Sequence, residues 1–408
     1  MKILFLSSRL PYPVYGGDRI TVYNYLKYLS KKHSLTLLTF IEDKKQLKYK
    51  KELEKYCAEI ETVYLPSYLS YLKCGIGIFS RLPFQIKYYS SKKMREKILD
   101  KINTGNYDIV ISHLIRMEQY SNSLNGVYKI ALPVDAISLS LWRSLRYRNI
   151  FWKMLVYLEF LKVRRYEEIV LKNHQLNIVV SGIDKKWLLK KDHAGDVLVV
   201  SNGVGYDENE ERRTKNEEPV TKNQKRVFLD EKAVIVFLGN MNSWSNQDAV
   251  KYFLREIFPL ILKEIAEVRF CIVGANVSRA VGNLEGKNIT VIGEVKNLKD
   301  ILEYAKVSVC PLRAGAGIQN KILESMAMGV PVVSTGLGYE GISADIGKAI
   351  FVTDKPEEFA SLVVRLIKDN TLRAEVGQKG REYIKKYHNW QSIFQGLEKE
   401  FSSRVKRD

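Results

Sequence analysis

This chain has few cysteines, no long apolar run and little acid in its first half. Cys57, Cys74, Cys271 and Cys310 are scattered over 408 residues. None stands at a metal-ligand spacing, which argues against a zinc site, and nothing demands an oxidising compartment. Cys271 and Cys310 lie in strand-like apolar runs and read as buried hydrophobes. No apolar run approaches about 18 residues, so no transmembrane helix is expected. The start, Met1-Lys2-Ile3-Leu4-Phe5-Leu6, is too short for the apolar core of a signal peptide, and Arg9 and two prolines follow at once. It reads as a first strand. There is no internal repeat and no low-complexity tract.

The shortage of acid is local. Residues 1–200 hold 34 Lys and Arg against 18 Asp and Glu, while residues 201–408 hold 31 against 28. The net charge of +19 therefore sits almost wholly in the first half and calls for a polyanionic partner there. No helix-turn-helix, zinc or RNA-recognition pattern accompanies it, so nucleic acid is not the expected one. Residues 64–95 and 143–165 interleave Lys and Arg with Tyr, Phe and Trp. Such segments either lie in an anionic membrane interface or pack their aromatics inward under a solvated face. The charge of the whole half favours the membrane.

What is present is alternation of strand and helix. Strands are expected at Ile3–Ser7, Ser34–Phe40, Glu61–Leu65, Tyr107–Ser112, Val127–Pro133 and Gln175–Ser181, with a helix from Asp18 to Lys32. A polar run from Asp207 to Arg226 reads as a linker. Periodicity restarts at Ala233–Leu238, with a helix at Gln247–Phe258 and strands at Val268–Val273, Ile289–Ile292 and Ala349–Val352. Alternation of this kind predicts parallel sheets covered on both faces, with ligands at the carboxyl ends of the strands.

The most informative stretch is 311–335. An apolar strand, Val307-Ser308-Val309-Cys310, enters a loop holding Gly315 and Gly317. The loop opens a helix from about Ile318 to Met328, which stops at Gly329. Free N–H groups at a helix start, with the positive end of its dipole, hold anions. Lys321 lies in the first turn and Glu324 one turn on, sharing a face. A phosphate on the loop and a hydroxyl-bearing group on Glu324 together suggest a nucleotide sugar. The plainer alternative is a surface Lys–Glu pair.

Glu324-Ser325-Met326-Ala327-Met328-Gly329-Val330-Pro331-Val332-Val333 resembles the donor-binding helix of glycosyltransferase family 4, retaining enzymes of the GT-B fold. The Gly-Ile-Gln-Asn-Lys segment ahead of it, Gly317 to Lys321, is similar to a subgroup of sugar transferases from bacterial exopolysaccharide clusters. The resemblance covers nearly the whole chain. It takes in the first strand with its Gly16-Gly17 loop, Asn202-Gly203-Val204, Gly239-Asn240-Met241, and His388-Asn389-Trp390 before Phe394 and Leu397.

The resemblance implies an α/β GT-B fold of two Rossmann-like parallel-sheet domains facing a central cleft. The expected divisions are 1–203, a linker at 204–232, a donor domain at 233–385 and a C-terminal helix at 386–408 returning to the first domain. Donor-binding candidates are Gly16, Gly17, Gly239, Asn240, Trp244, Gly315, Gly317, Ile318, Gln319, Asn320 and Glu324. Gly16-Gly17 also reads as a plain tight turn, and Trp244 as a core aromatic.

Three departures from the family pattern stand out. The Arg and Lys expected after the second domain's first strand are missing, and Arg313 and Lys321 are the substitutes. Arg313 reads otherwise as a surface ion pair. The first Glu of the family's Glu-x7-Glu motif is Ala316. The His often found after the strand ending at Pro133 is replaced by Asp135, which either meets sugar hydroxyls or caps a loop. Arg19 and His113 are further cleft candidates, His113 otherwise a structural histidine.

The resulting expectation is a retaining glycosyltransferase, cytoplasmic and peripheral on the inner face of the plasma membrane. It takes a UDP-linked donor and a lipid-linked or growing glycan acceptor, and needs no metal or other cofactor. A GT-B nucleotide-sugar epimerase or hydrolase, a non-catalytic nucleotide- or glycan-binding subunit and a nucleic-acid binder are the alternatives.

Overall fold

The structure, a computed structural model, describes residues 1–14, 17–77, 80–190, 195–205, 233–295 and 297–404. Gly16 and the polar run read as a linker, from 206 onward, lie outside them. The chain divides into two compact units, one of Met1–Ser201 with the C-terminal segment from Phe394, the other of Asn202–Ile393.

In the first unit seven strands pair in the order β3-β2-β1-β4-β5-β6-β7. They are β1 (Lys2–Ser7), β2 (Ser34–Ile41), β3 (Glu59–Tyr64), β4 (Ile109–His113), β5 (Tyr128–Val134), β6 (Leu176–Val179) and β7 (Val197–Val199). All pair in parallel. Ile3, Leu4, Phe5 and Leu6 are fully buried in succession, as a strand covered on both faces requires. The alternation in sequence ended this unit at Gln175–Ser181. β7 extends the sheet by one edge strand, whose three residues are too few to display a period.

The second unit has six parallel strands in the order β10-β9-β8-β11-β12-β13. They are β8 (Val234–Leu238), β9 (Arg269–Val273), β10 (Ile289–Gly293), β11 (Val307–Cys310), β12 (Val332–Ser334) and β13 (Phe351–Val352). Both sheets grow one way from their first strand and then the other. The direction reverses between β1 and β4, and between β8 and β11, so the loops leaving those strands are where ligands sit in such sheets.

The helix expected at Gln247–Phe258 is in fact three pieces. Trp244–Tyr252 is α-helical, Phe253–Ile257 forms a π turn, and Phe258–Glu264 resumes the α-helix. Pro259 stands at the start of the last piece. Lacking an N–H, it cannot make the regular bond, and the register slips by one residue ahead of it. The slip keeps both Phe253 and Phe258 against Phe270, with ring centroids 4.6 and 5.8 Å away.

The final helix, Trp390–Arg404, passes from one unit to the other. In the first unit Phe394 stacks on Tyr28 and meets Tyr25 edge-on, both at 4.8 Å. Leu397 and Phe401 are buried there, and Glu398 Oε1 lies 2.9 Å from His33 Nε2.

Candidate functional site

In the second unit β11 delivers the loop 311–319 at the switch point. Gly315 (φ +154°) and Gly317 (φ +70°) take left-handed conformations that a side chain would strain. The helix that follows is Asn320–Ala327. Its cap residue, Gln319, makes no side-chain hydrogen bond to the first turn among the described residues. Instead Gln319 Nε2 turns back to the Ala316 carbonyl at 3.3 Å. The first-turn N–H groups therefore have no side-chain cap, which leaves the positive end of the helix suited to an anion. Ile318 is buried.

Lys321 is buried and does not pair with Glu324. Its Nζ donates to Asn246 Oδ1 at 2.6 Å and lies 4.7 Å above the Phe237 ring. Burial lowers its pKa, with Cys310 and Glu324 opposing that effect. Glu324 is half-buried, and burial pushes its carboxyl up to about 7, with Lys321 pulling it down. Both shifts say that each charge is poorly solvated.

Asn246 ties the loops together. Its Nδ2 donates to the Asn240 carbonyl at 2.9 Å while its Oδ1 takes Lys321. Asn240 Oδ1 accepts from Asn242 N at 2.9 Å and Asn276 Nδ2 at 3.2 Å. Gly239 and Gly274 bring the ends of β8 and β9 into backbone contact. A Cβ on Gly274 would lie 1.8 Å from the Gly239 carbonyl oxygen. Trp244 is half-buried at the start of its helix. From the other end of the unit, Asn202 Nδ2 donates to Asn320 Oδ1 at 2.9 Å.

Arg313 is held by Asp248 through two bonds, Nε to Oδ2 at 3.0 Å and a terminal nitrogen to Oδ1 at 2.7 Å. Its guanidinium lies 4.5 Å over the Tyr252 ring. This fork geometry fixes the plane of the cation.

In the first unit the candidates gather at the matching switch point. Gly17 opens the helix Gly17–Leu29, with Asp18 and Arg19 in its first turn. Asp18 Oδ2 lies 3.5 Å from Arg9 and 3.7 Å from Arg116, and Arg116 Nε donates to Ser8 Oγ at 3.0 Å. Burial raises the Asp18 pKa, but Arg116 and Arg9 outweigh it and hold the carboxyl below the usual range. His113 ends β4. It is 1% exposed, and neither ring nitrogen has a hydrogen-bond partner among the described residues. Burial drives its pKa down to about 3, so it is neutral. Asp135, just past β5, is pushed up to about 7 by burial and by Asp184.

The backbone is strained at the same place. Leu114 (φ +68°) and Val134 (φ +74°) are left-handed, directly after His113 and directly before Asp135. For a β-branched valine this is a genuine outlier, worth of order 1–3 kcal/mol. Strain of this kind persists where the surrounding structure overrides it, and it aims the ends of β4 and β5.

Residues 232–369 match the family model described as "Glycosyl transferases group 1". An uncharacterised 44.6 kDa protein from the cps region of Klebsiella pneumoniae is 23% identical over 98% of this chain and 99% of its own. Among solved structures, sucrose-phosphate synthase from Thermosynechococcus elongatus superposes with a TM-score of 0.70 at 16% identity, over 100% of both chains. Anabaena HepE, crystallised with UDP and glucose, gives 0.68 at 14% identity, over 99% of this chain and 100% of that one. The fold is GT-B. In this GT-B chain the matched segment contains the whole second sheet, the loop 311–319 and its helix.

Sequence reasoning missed Asn246, Asp248 and Asn202 in the second unit, and Arg9, Asp18 and Arg116 in the first. Asn246 lay within the loop already singled out after β8. Among the described residues no group of three or more His, Cys, Asp or Glu gathers as a metal site.

Proposed function

We propose that this protein is a retaining glycosyltransferase of the family 4 type. It moves a sugar from a UDP-linked donor to a lipid-linked or growing bacterial cell-surface glycan, working at the inner face of the plasma membrane. The observation that carries the reading is the second unit's switch point, where an uncapped helix start, Lys321 and Glu324 stand together. The helix N–H groups and Lys321 take the diphosphate, and Glu324 accepts from the ribose hydroxyls. Arg313 assists Lys321, aimed by Asp248. As the donor bond breaks, negative charge grows on the diphosphate, and fixed cations and amides lower that barrier. In the first unit Asp135 is the hydrogen-bond acceptor offered to the sugar, and His113 and Arg19 are further candidates.

The group 1 family match over the second sheet and the cps-region relative support this reading, as does a UDP-bound structural neighbour. A non-catalytic nucleotide-binding subunit is the second reading, favoured by Ala316 at the first motif position and by the commitment of Arg313 to Asp248.

A thermal-shift screen of UDP, GDP, ADP and CMP tests the donor site, since a ligand bound by the native state alone raises its stability. UDP is expected to raise the melting temperature most, and Lys321→Ala to abolish that rise. No response to any of the four would sink the assignment. A UDP response without turnover on any UDP-sugar, with acceptor supplied as membrane extract, would select the second reading.

A further inference from the structure

The helix Ile150–Asn173 buries no side chain before Val163. Residues 150–162 thus run for about 20 Å, at about 1.5 Å per residue, with no side chain fully buried, and with 150–154, 157, 158 and 161 exposed. They are nonetheless apolar. Ile150 is 84% exposed, Phe151 60% and Met154 59%, and every residue from 150 to 154 is exposed. Of the three charges in this stretch, two turn aside. Glu159 Oε1 accepts from Phe84 N at 2.8 Å, and Lys162 Nζ reaches the Gly77 carbonyl at 3.4 Å. Lys153 alone points outward with the apolar side chains.

Those two bonds also bring a second apolar face alongside. The segment they grip follows the helix Ser67–Ile76, where Tyr68 and Tyr71 are each 68% exposed and Leu72 62%. Residues 62–95 contain six Lys and Arg and residues 136–158 four, with no Asp or Glu in either stretch. Two adjoining apolar faces framed mainly by cations, with Glu159 turned in to Phe84 N, need a partner that is both apolar and anionic.

We propose that this ridge, the exposed turns of 150–161 with Tyr68, Tyr71 and Leu72, is the surface by which the protein docks on an anionic lipid bilayer. The apolar side chains enter the acyl boundary, while Arg146 and Lys153 meet lipid phosphates. A second copy of the chain is disfavoured as occupant, because it would set two cationic faces against each other. The proposal gives a location to the membrane part of the proposed function and does not depend on the donor chemistry.

The test is flotation of the full-length protein with vesicles of phosphatidylcholine alone and of phosphatidylcholine mixed with phosphatidylglycerol. The variants are Phe151→Ser with Trp152→Ser, and Arg146→Glu with Lys153→Glu. All four positions are exposed, so the fold is kept. The wild type is expected to float with the anionic vesicles, and each double variant to be recovered about tenfold less or lower still. Equal recovery on both vesicle types, or unchanged recovery of the Phe151/Trp152 variant, overturns the proposal. So does sedimentation showing a dimer that this variant dissolves, without vesicle binding by the wild type. The UDP-induced rise in melting temperature, measured on the same samples, separates the two readings. Retained in the variants, it isolates the loss of docking; missing in the wild type, it counts against the donor site alone.

Discussion

Glu324 sets a pH dependence that can be read directly. Its carboxyl is held up to about 7 in the folded protein, against about 4.3 for a free Glu. Above pH 7 it is an acceptor-only carboxylate suited to ribose hydroxyls; below, it carries a proton and loses part of that capacity. UDP affinity should therefore rise as pH increases from 6 to 8. Glu324→Gln should weaken binding by about 1.5–3 kcal/mol at pH 8, as expected for a hydrogen bond to a charged group, and should flatten the rise that the wild type shows beyond UDP's own titration. Calorimetry at matched pH values checks both, and a mutant profile parallel to the wild type would remove Glu324 from the ribose. The apoprotein's stability runs the other way. A raised carboxyl pKa costs nothing while both states are protonated, and its penalty grows as pH climbs from the unfolded value through 7. Lys321 and Glu324 were legible in the sequence because helical spacing puts them on the loop's own helix. Their partners were not. Asn246 and Asp248 are separated from Lys321 and Arg313 by 75 and 65 residues, and Asn202 from Asn320 by 118. Only the sheet order brings them together.

At the scale of elements, the site rests on how closely the strand ends approach. β8 and β9 finish in Gly239 and Gly274, and the space beside Gly274 is filled by the Gly239 carbonyl. Gly274 also sits at φ +151°. Gly274→Ala should therefore force the two loops apart and destabilise the protein by about 1–3 kcal/mol, the usual range for overpacking. It should also weaken UDP binding, because Asn240 and Asn246 lie on the displaced loop. Thermal melts with and without UDP measure the two effects; a melt equal to wild type would show that the loops yield freely. Most strands were visible beforehand, because parallel strands buried on both faces appear as unbroken apolar runs. β7 was not, at three residues, and neither was the π turn at Phe253–Ile257. A π turn keeps helical composition and changes only the hydrogen-bond register, so the apolar pattern shows one helix where the backbone makes three pieces.

Over the whole molecule, the last stretch of chain belongs to the first unit. Phe394 stacks on Tyr28 and meets Tyr25 edge-on, Leu397 and Phe401 are buried, and Arg404 pairs with Asp196. Ending the chain after Ile393 strips these apolar groups from the first unit and should cost it roughly 5 kcal/mol or more. The second unit keeps its donor loop and should keep its response to UDP. Calorimetry should show one transition lowered and another still raised by the nucleotide; loss of the UDP response in the truncated chain would show that the donor loop needs the final helix. The same arrangement orders events on the ribosome. The first sheet is made early, but the side chains that cover its Tyr25–Tyr28 face are translated only after the whole of the second unit. At roughly 5–20 residues per second, the gap between Ser201 and Phe394 is roughly 10–40 s. Throughout that time the first unit waits with an aromatic face open to chaperones, and a chain released before Phe394 leaves that face uncovered. Passage of translation beyond Phe401 is thereby written into the surface that a quality-control factor would inspect.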